Sequence, residues 1–525
     1  MKFSNMVAAL FAVIFLLTAC SPNPTELTPI MPAVQAPTAP TYDNAAQIVL
    51  SDRGITLDGN AVGTDATAAV YTANDIVYYE AGKDFTYGEG SEKDGHSPDE
   101  AAAHTVVHIT KPGVYSLSGK LSLGQIAVDL GAGAKKDPEA VVTLVLNGVD
   151  ITCEIAPAVI FYNVYECGTD DAEKASKYVD TSAAGANVII ADGTVNAVNG
   201  SYVEKIYKPD SVVLSDDKTE VEDADKLHKY DGAFYSKRSM NIFGGKENTG
   251  ILNIKAENEG LDSELHLTIN GGVINITSGN DGINTNEDNI SVTTLNGGSL
   301  NIKCDGSTGE GDGIDSNGWL VINGGTLNAQ ACATSGDAGI DSDKGIYING
   351  GTICATGNML DHIAGGSQTC VVFQFANRQK GNQSYTLKDK DDKVVASYTP
   401  ENDFTYMIIA GDDLIEGEYT FYQGEKQLVA SKGMQGGMMP GMPPGGFEQG
   451  ERPEPPNGME HPEGFEPPNG NEPPQGFEPP EGFEPPQGME SGRRPEQGMQ
   501  SPTELSPIFK INAGQNQFSF VSVKE

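Results

Sequence analysis

One tryptophan, Trp319, stands in 525 residues, and bases are heavily outnumbered: 33 Lys and Arg face 73 Asp and Glu, for a net charge of −40. Such an acidic excess argues against nucleic acid as a partner, because gripping a polyphosphate takes clustered cations. It equally argues against direct charge attraction to an acidic polymer, for which a metal would have to bridge. Cys-x-x-Cys spacing is absent, so the usual zinc frameworks are excluded. Apart from Cys20, the cysteines are Cys153, Cys167, Cys304, Cys332, Cys354 and Cys370. Their even number permits disulfides in an exported chain, and burial as small core residues is the alternative. No complete EF-hand loop is present, and the Gly-rich stretch at 309–315 does not recur every nine residues as a calcium β-roll would. Past the first twenty residues, no segment is long and apolar enough to span a bilayer.

What the chain does have is a repeat. Asn270-Gly271-Gly272, Asn296-Gly297-Gly298, Asn323-Gly324-Gly325 and Asn349-Gly350-Gly351 follow an imperfect copy, Phe243-Gly244-Gly245, at steps of 27, 26, 27 and 26 residues. A fixed period of this size marks a stacked architecture. Around each copy apolar residues alternate with polar ones: Leu267 and Ile269 before the glycines, Ile274 and Ile276 after them, and likewise Leu320, Ile322, Leu327 and Ala329. Period two over short runs is a strand with one buried face, and no helical stripe competes with it. Glycine pairs supply sharp corners. Two short strands and a corner per repeat predict an all-β chain in which each repeat is one coil of a parallel β-helix.

A second motif keeps the same period: Asp281-Gly282-Ile283-Asn284, Asp312-Gly313-Ile314-Asp315, and Gly339-Ile340-Asp341 with Asp337 just before. Glu259-Gly260-Leu261-Asp262 and Asp231-Gly232-Ala233-Phe234 are relatives of it. If the glycines align between coils, the acids form columns. Two unit charges one rung apart, ~4.8 Å, repel by roughly 3–4 kcal/mol at an effective dielectric near 20. A column of oxygen ligands therefore calls for a cation, and Ca²⁺ suits that donor set. Asp262, Asp281, Asp312, Asp315 and Asp341 are the expected metal ligands. As isolated turn formers the same residues would need no metal.

The termini carry separate signals. Lys2, an apolar run at 7–17 and Leu17-Thr18-Ala19-Cys20 read as a lipoprotein signal, residues 1–20, with Cys20 the lipidated residue. Residues 21–41, rich in Pro, Thr and Ala, read as a tether. Residues 433–506 repeat Gly-Phe-Glu-Pro-Pro and lack the apolar content of a packed core. Strand-like sequence flanks them, so 370–432 plus 507–525 are expected to form one small β domain, and 42–369 the main body. The expected location is the outer face of a membrane or the cell surface, held by lipid.

Ile109-Thr-Lys-Pro-Gly-Val-Tyr-Ser-Leu-Ser-Gly119, Gly124-Gln-Ile126, Val142-Thr-Leu-Val-Leu-Asn-Gly-Val-Asp-Ile-Thr152 and Asp231-Gly-Ala-Phe-Tyr-Ser-Lys237, followed by the Asp-Gly-Ile and Asn-Gly-Gly repeats, resemble a family of bacterial carbohydrate-binding proteins typified by a polygalacturonate-binding cell-surface protein. The resemblance covers roughly residues 48–365. It implies a right-handed parallel β-helix of pectate-lyase type with bound calcium and no lyase activity. Members often carry a base after the Asp-Gly-Ile corner; Lys237 and Arg238 match that, and Lys344 approximately does. With Trp319, an outward-facing candidate for sugar stacking, these are the expected ligand-binding residues. The expectation is a non-catalytic surface lipoprotein that binds plant-type polysaccharide, polygalacturonate first and cellulose second. A calcium-dependent lyase using Lys237, Arg238 or Lys344 as base is the alternative, and an adhesin or stalk is a third.

Overall fold

The computed structural model describes residues 39–431 and 505–520. The expected signal segment with Cys20, most of the expected tether, residues 432–504 and the last residues of the expected small β domain, 521–525, lie outside the described residues. Within them the chain is almost wholly β, with one short α-helix, Pro98–Ala103, capped by Ser97 and Glu100.

Three ladders of parallel strands organise the main body. The first runs through Gly232–Ser236, Glu259–Ser263, Ile283–Thr285 and Ile314–Ser316. The second runs through Met240–Gly244, His266–Ile269, Val292–Leu295, Trp319–Ile322 and Ile346–Ile348. The third runs through Ile251–Ala256, Val273–Ser278, Ser299–Cys304, Thr326–Gln330 and Thr352–Gly357. In the second ladder, and in the third from Val273 onward, the paired residues lie one sequence repeat apart. The alternation read from the sequence supplies the second and third ladders. The first adds a third short strand per repeat, where two strands and a corner were expected. Three residues such as Ile283–Thr285 are too few to show a period.

Because pairing is parallel and in register, like stacks on like. Leu252, Ile274, Leu300, Leu327 and Ile353 form one buried file, and Ile254, Ile276, Ile302, Ala329 and Ala355 the next. The Asn-Gly-Gly corners stack too: Asn296 donates to Asn270 Oδ1 at 2.8 Å, Asn323 to Asn296 Oδ1 at 2.9 Å and Asn349 to Asn323 Oδ1 at 2.8 Å. The second glycine of each corner is obligatory. At Gly298, φ is +84°, and an added Cβ would lie 2.6 Å from the carbonyl oxygen of Gly272 on the preceding rung. That combines a backbone L-residues avoid with a clash against main chain.

The third ladder ends at Thr352–Gly357, against which Phe404–Ala410 pairs antiparallel. Cys370–Gln379 and then Gln515–Phe520 continue that sheet. A second sheet, built on Tyr385–Asp389 and Gly417–Gln423, closes an aromatic core of Phe373, Phe375, Tyr385, Phe404, Phe421 and Phe520. All six described cysteines are free thiols, and Cys304 and Cys354 fill small core positions.

Replacing Ile302 by Ala opens a hole in the middle of a buried file. The expected loss is about 2–5 kcal/mol of unfolding free energy, read as a lower denaturant midpoint with an unchanged slope.

Candidate metal and ligand site

The corner glycines come first, because they set how closely the rungs approach. A Cβ on Gly282 would sit 2.6 Å from Gly313 O on the next rung and 2.1 Å from Ile302 Cγ2. With no side chain there, the acid before the glycine and the residue two after it lie directly over their counterparts. Asp262, Asn284 and Asp315 are successive register partners, ~4.8 Å apart.

These side chains are buried and incompletely bonded. Asp262 is 0% exposed. Its Oδ1 accepts from Asn286 Nδ2 at 2.6 Å, and Glu259 Oε1 accepts from Asn284 Nδ2 at 3.1 Å. Asp262 Oδ2, Glu259 Oε2 and Asn284 Oδ1 are buried without a hydrogen-bond partner. Unpaired buried oxygens are costly, so three on neighbouring rungs need an explanation.

The second column is tied rung to rung. Asp281 Oδ1 accepts from the backbone N–H of Asp312 at 2.7 Å, and Asp312 Oδ1 from that of Ala338 at 2.5 Å. Asp337 Oδ2 accepts from Gly311 N at 2.6 Å, and Asp361 Oδ2 from Ser342 N at 3.0 Å. One oxygen of each carboxylate thus anchors a corner. Burial above all, then the neighbouring carboxylates, makes Asp281, Asp312 and Asp361 hard to ionise. Asp281 is pushed up to about 7, with Asp337, Glu310 and Asp341 adding to burial. Asp341 is pushed up to about 7 by burial and Asp361. Asp312 is pushed up to about 10 by burial, Asp281 and Asp341. Asp315 is driven well upward by burial and by Asp281 and Asp341. Asp262 is driven up by burial, Glu259 and Asp231, and Glu259 by burial, Asp231 and Asp281. Lys205 offsets part of this at one end, 3.4 Å from Asp231.

A hard divalent cation fits this donor set: carboxylate and amide oxygens, several with no other partner, in surroundings that disfavour bare negative charge. Among the described residues no three acidic, His or Cys side chains already converge on one point. Rung spacing accounts for that, since it presents side chains in a file rather than a cage. Amide and backbone oxygens would complete the six to eight ligands Ca²⁺ takes.

Asp281, Asp312, Asp315 and Asp341 therefore share one electrostatic neighbourhood, to which Asp262 connects through Glu259. Sequence reading left out Glu259 and Asp337 as ligands, although both sit in the degenerate motifs, and it missed Asp361, which has no Gly-Ile after it. The predicted ligand-binding residues divide into two groups. Lys237 and Arg238 follow Ser236, whereas Trp319 follows Ser316, and these serines are three rungs apart, roughly 14 Å. Arg238 Nε is buried without a partner. Trp319 is half-buried on the outer side of the second ladder, with Lys344 Nζ 5.4 Å from the ring centre.

Residues 103–396 match a family described as carbohydrate-binding domain-containing protein. No curated protein matches the chain. Among solved structures, the gadolinium derivative of a polysaccharide lyase-like protein from C. thermocellum is 20% identical, covers 61% of this chain and 99% of its own, and superposes with a TM-score of 0.33.

The buried acids make stability fall with pH in metal-free protein. Near neutrality the folded state keeps protons on Asp281, Asp312 and Asp341 that an unfolded chain, with carboxylates near 3.9, has released. The clean window is about pH 6.5–8. Below it His228 and His266, held down to about 4 by burial, act in the opposite sense. In chelator, Tm should decrease across that window, and added Ca²⁺ should raise it most at the alkaline end.

Proposed function

Because the chain belongs to the family of carbohydrate-binding domain-containing proteins, matched over residues 103–396, we propose that it is a non-catalytic polysaccharide-binding protein stiffened by Ca²⁺. In this reading the three ladders are the walls of a right-handed parallel β-helix over residues 42–369, and 370–432 plus 507–525 form a small β domain. Asp262, Asp281, Asp312, Asp315 and Asp341, joined by Glu259 and Asn284, hold the metal. Bound there, Ca²⁺ supplies positive charge that lets neighbouring rungs keep ionised carboxylates. Lys237, Arg238, Trp319 and Lys344 serve the glycan, with polygalacturonate the first candidate. Cys20 carries the lipid that holds the protein on the outer face of a membrane.

The observation that carries this proposal is the set of buried oxygens without hydrogen-bond partners on adjacent rungs. The family supports carbohydrate binding, and these oxygens support a role for calcium. One geometry favours a second reading. Lys237 stands one rung from Glu264 and Asp262, where a calcium-assisted lyase would place a base to take the proton beside a uronate carboxylate.

Polygalacturonate retention by the purified protein, with Ca²⁺ and with EDTA, tests the main reading, and ultraviolet absorbance of an unsaturated product tests the second. Retention that needs Ca²⁺ without any absorbance increase is expected. Steady product formation abolished by Lys237→Ala would establish the lyase instead. Asp315→Asn should raise Tm in EDTA near neutral pH, because an amide escapes the cost of taking up a proton that burial and the neighbouring acids impose on Asp315, and should shrink the Ca²⁺-induced rise. For the wild type that rise corresponds to about 2.7 kcal/mol at a hundredfold excess over Kd.

A further inference from the structure

Residues 166–184 leave the ladders after Val159–Asn163 and return at Ala186–Ile190. Both ends of this excursion are fastened to the second ladder. Glu166 accepts from Ser239 N at 2.8 Å and from Ser239 Oγ at 2.7 Å. Thr181 Oγ1 donates to Asn241 Oδ1 at 2.7 Å and lies 2.8 Å from Thr268 Oγ1, while Asn241 Nδ2 donates to Thr181 O at 2.7 Å. Between these anchors Lys177 Nζ rests 3.9 Å from the centre of the Tyr347 ring and 4.9 Å from that of Tyr178.

Register shows how far the arm reaches. Thr268, Thr294, Val321 and Tyr347 are successive partners on the outer face. Three rungs at ~4.8 Å, roughly 14 Å, separate Thr268 from Tyr347, so the arm from Thr181 to the Lys177 ammonium spans several rungs. Tyr178, at 62% exposure, faces solvent. On the rung beyond Tyr347 stands Gly365, and a Cβ there would come within 3.3 Å of the Tyr347 ring. That ring edge is therefore left free of side chain. Trp319, capped by Lys344, lies on the neighbouring strand of the same ladder.

Among the described residues many lysines pair with carboxylates, as Lys120 does with Asp150. Lys177 and Lys344 instead lie over aromatic rings, and Asp343 is the acid close enough to feel Lys344. Two ammonium groups among three aromatic side chains, on one face of a protein with a net charge of −40, match a ligand with apolar faces and anionic edges. A pyranose ring bearing an acidic group is such a ligand. Its C–H face stacks on an aromatic ring, and its anion takes an ammonium that had been resting on that ring, a weak contact readily exchanged.

We propose that Lys177, Tyr178 and Tyr347, with Trp319 and Lys344 beside them, form a contact site for an anionic polysaccharide, separate from the acidic columns. The site rests on the polysaccharide-binding reading and gives it a location. Lys177 moves from the Tyr347 ring to the sugar's anionic group, and the fastened ends of its arm keep it beside the chain it grips. Carboxylated and sulfated sugars share this chemistry.

The test uses the full chain in Ca²⁺ buffer, with binding titrated against polygalacturonate, a sulfated galactan and a neutral galactan. Lys177→Met keeps the side-chain length and its packing on Tyr347 while removing the charge. It is expected to weaken binding of the carboxylated polymer, the sulfated polymer or both by about tenfold, a loss of ~1.4 kcal/mol, and to flatten the salt dependence without altering neutral galactan. Lys177→Arg should restore the affinity. Tyr347→Ala, and Tyr178→Ala at an exposed position where folding is not at risk, should weaken every polymer that binds. All variants should keep the Ca²⁺-induced rise in Tm. Wild-type affinity for anionic polymers in both Lys177→Met and Tyr178→Ala would overturn the site while leaving the polysaccharide reading standing. A wild-type protein that binds none of the three polymers would overturn both.

Discussion

In-register parallel stacking is the constraint on which the rest of this structure depends. A residue placed once per repeat becomes a file of neighbours a rung apart. For Leu252, Ile274 and Leu300 the file is a dry core, and for Asn270, Asn296, Asn323 and Asn349 it is a ladder of amide hydrogen bonds. For aspartate it is a self-repelling column. The same geometry thus stabilises two files and strains a third. The strained one carries the unpaired oxygens, which is why metal and structure belong to one argument here.

Burial turns that strain into a requirement. On a solvated surface, stacked carboxylates would be screened and would ionise with little difficulty. Asp262, at 0% exposure, has no such relief. Such groups either keep protons or accept a cation. Lys205 relieves one end of the row by approaching Asp231. At the other end Asp312, Asp315 and Asp341 face one another and Asp361.

Much of this was legible because it repeats. The Asn-Gly-Gly steps located the corners, the alternation located two of the three ladders, and the Asp-Gly-Ile motif located most of the acidic neighbourhood. Whatever happens only once was not legible. The first ladder's strands are three residues long at Ile283–Thr285 and Ile314–Ser316, below the length at which a period shows. Asp361 lacks the glycine that marks its relatives. Lys177 and Tyr347 are 170 positions apart in sequence, and only a non-repeating excursion brings them together. Trp319 could be placed on an outward position by phase, but nothing in the spacing foretold Lys344 above its ring.

The strand that follows the last parallel rung has a consequence for how molecules live side by side. A stack of identical rungs ending in open backbone would template a neighbour, and chains crowded on one surface would join end to end into fibres. Phe404–Ala410 crosses that boundary running the other way, and its sheet curls into an aromatic plug. Paired inside the chain, the end of the third ladder offers no open backbone for a second copy to extend.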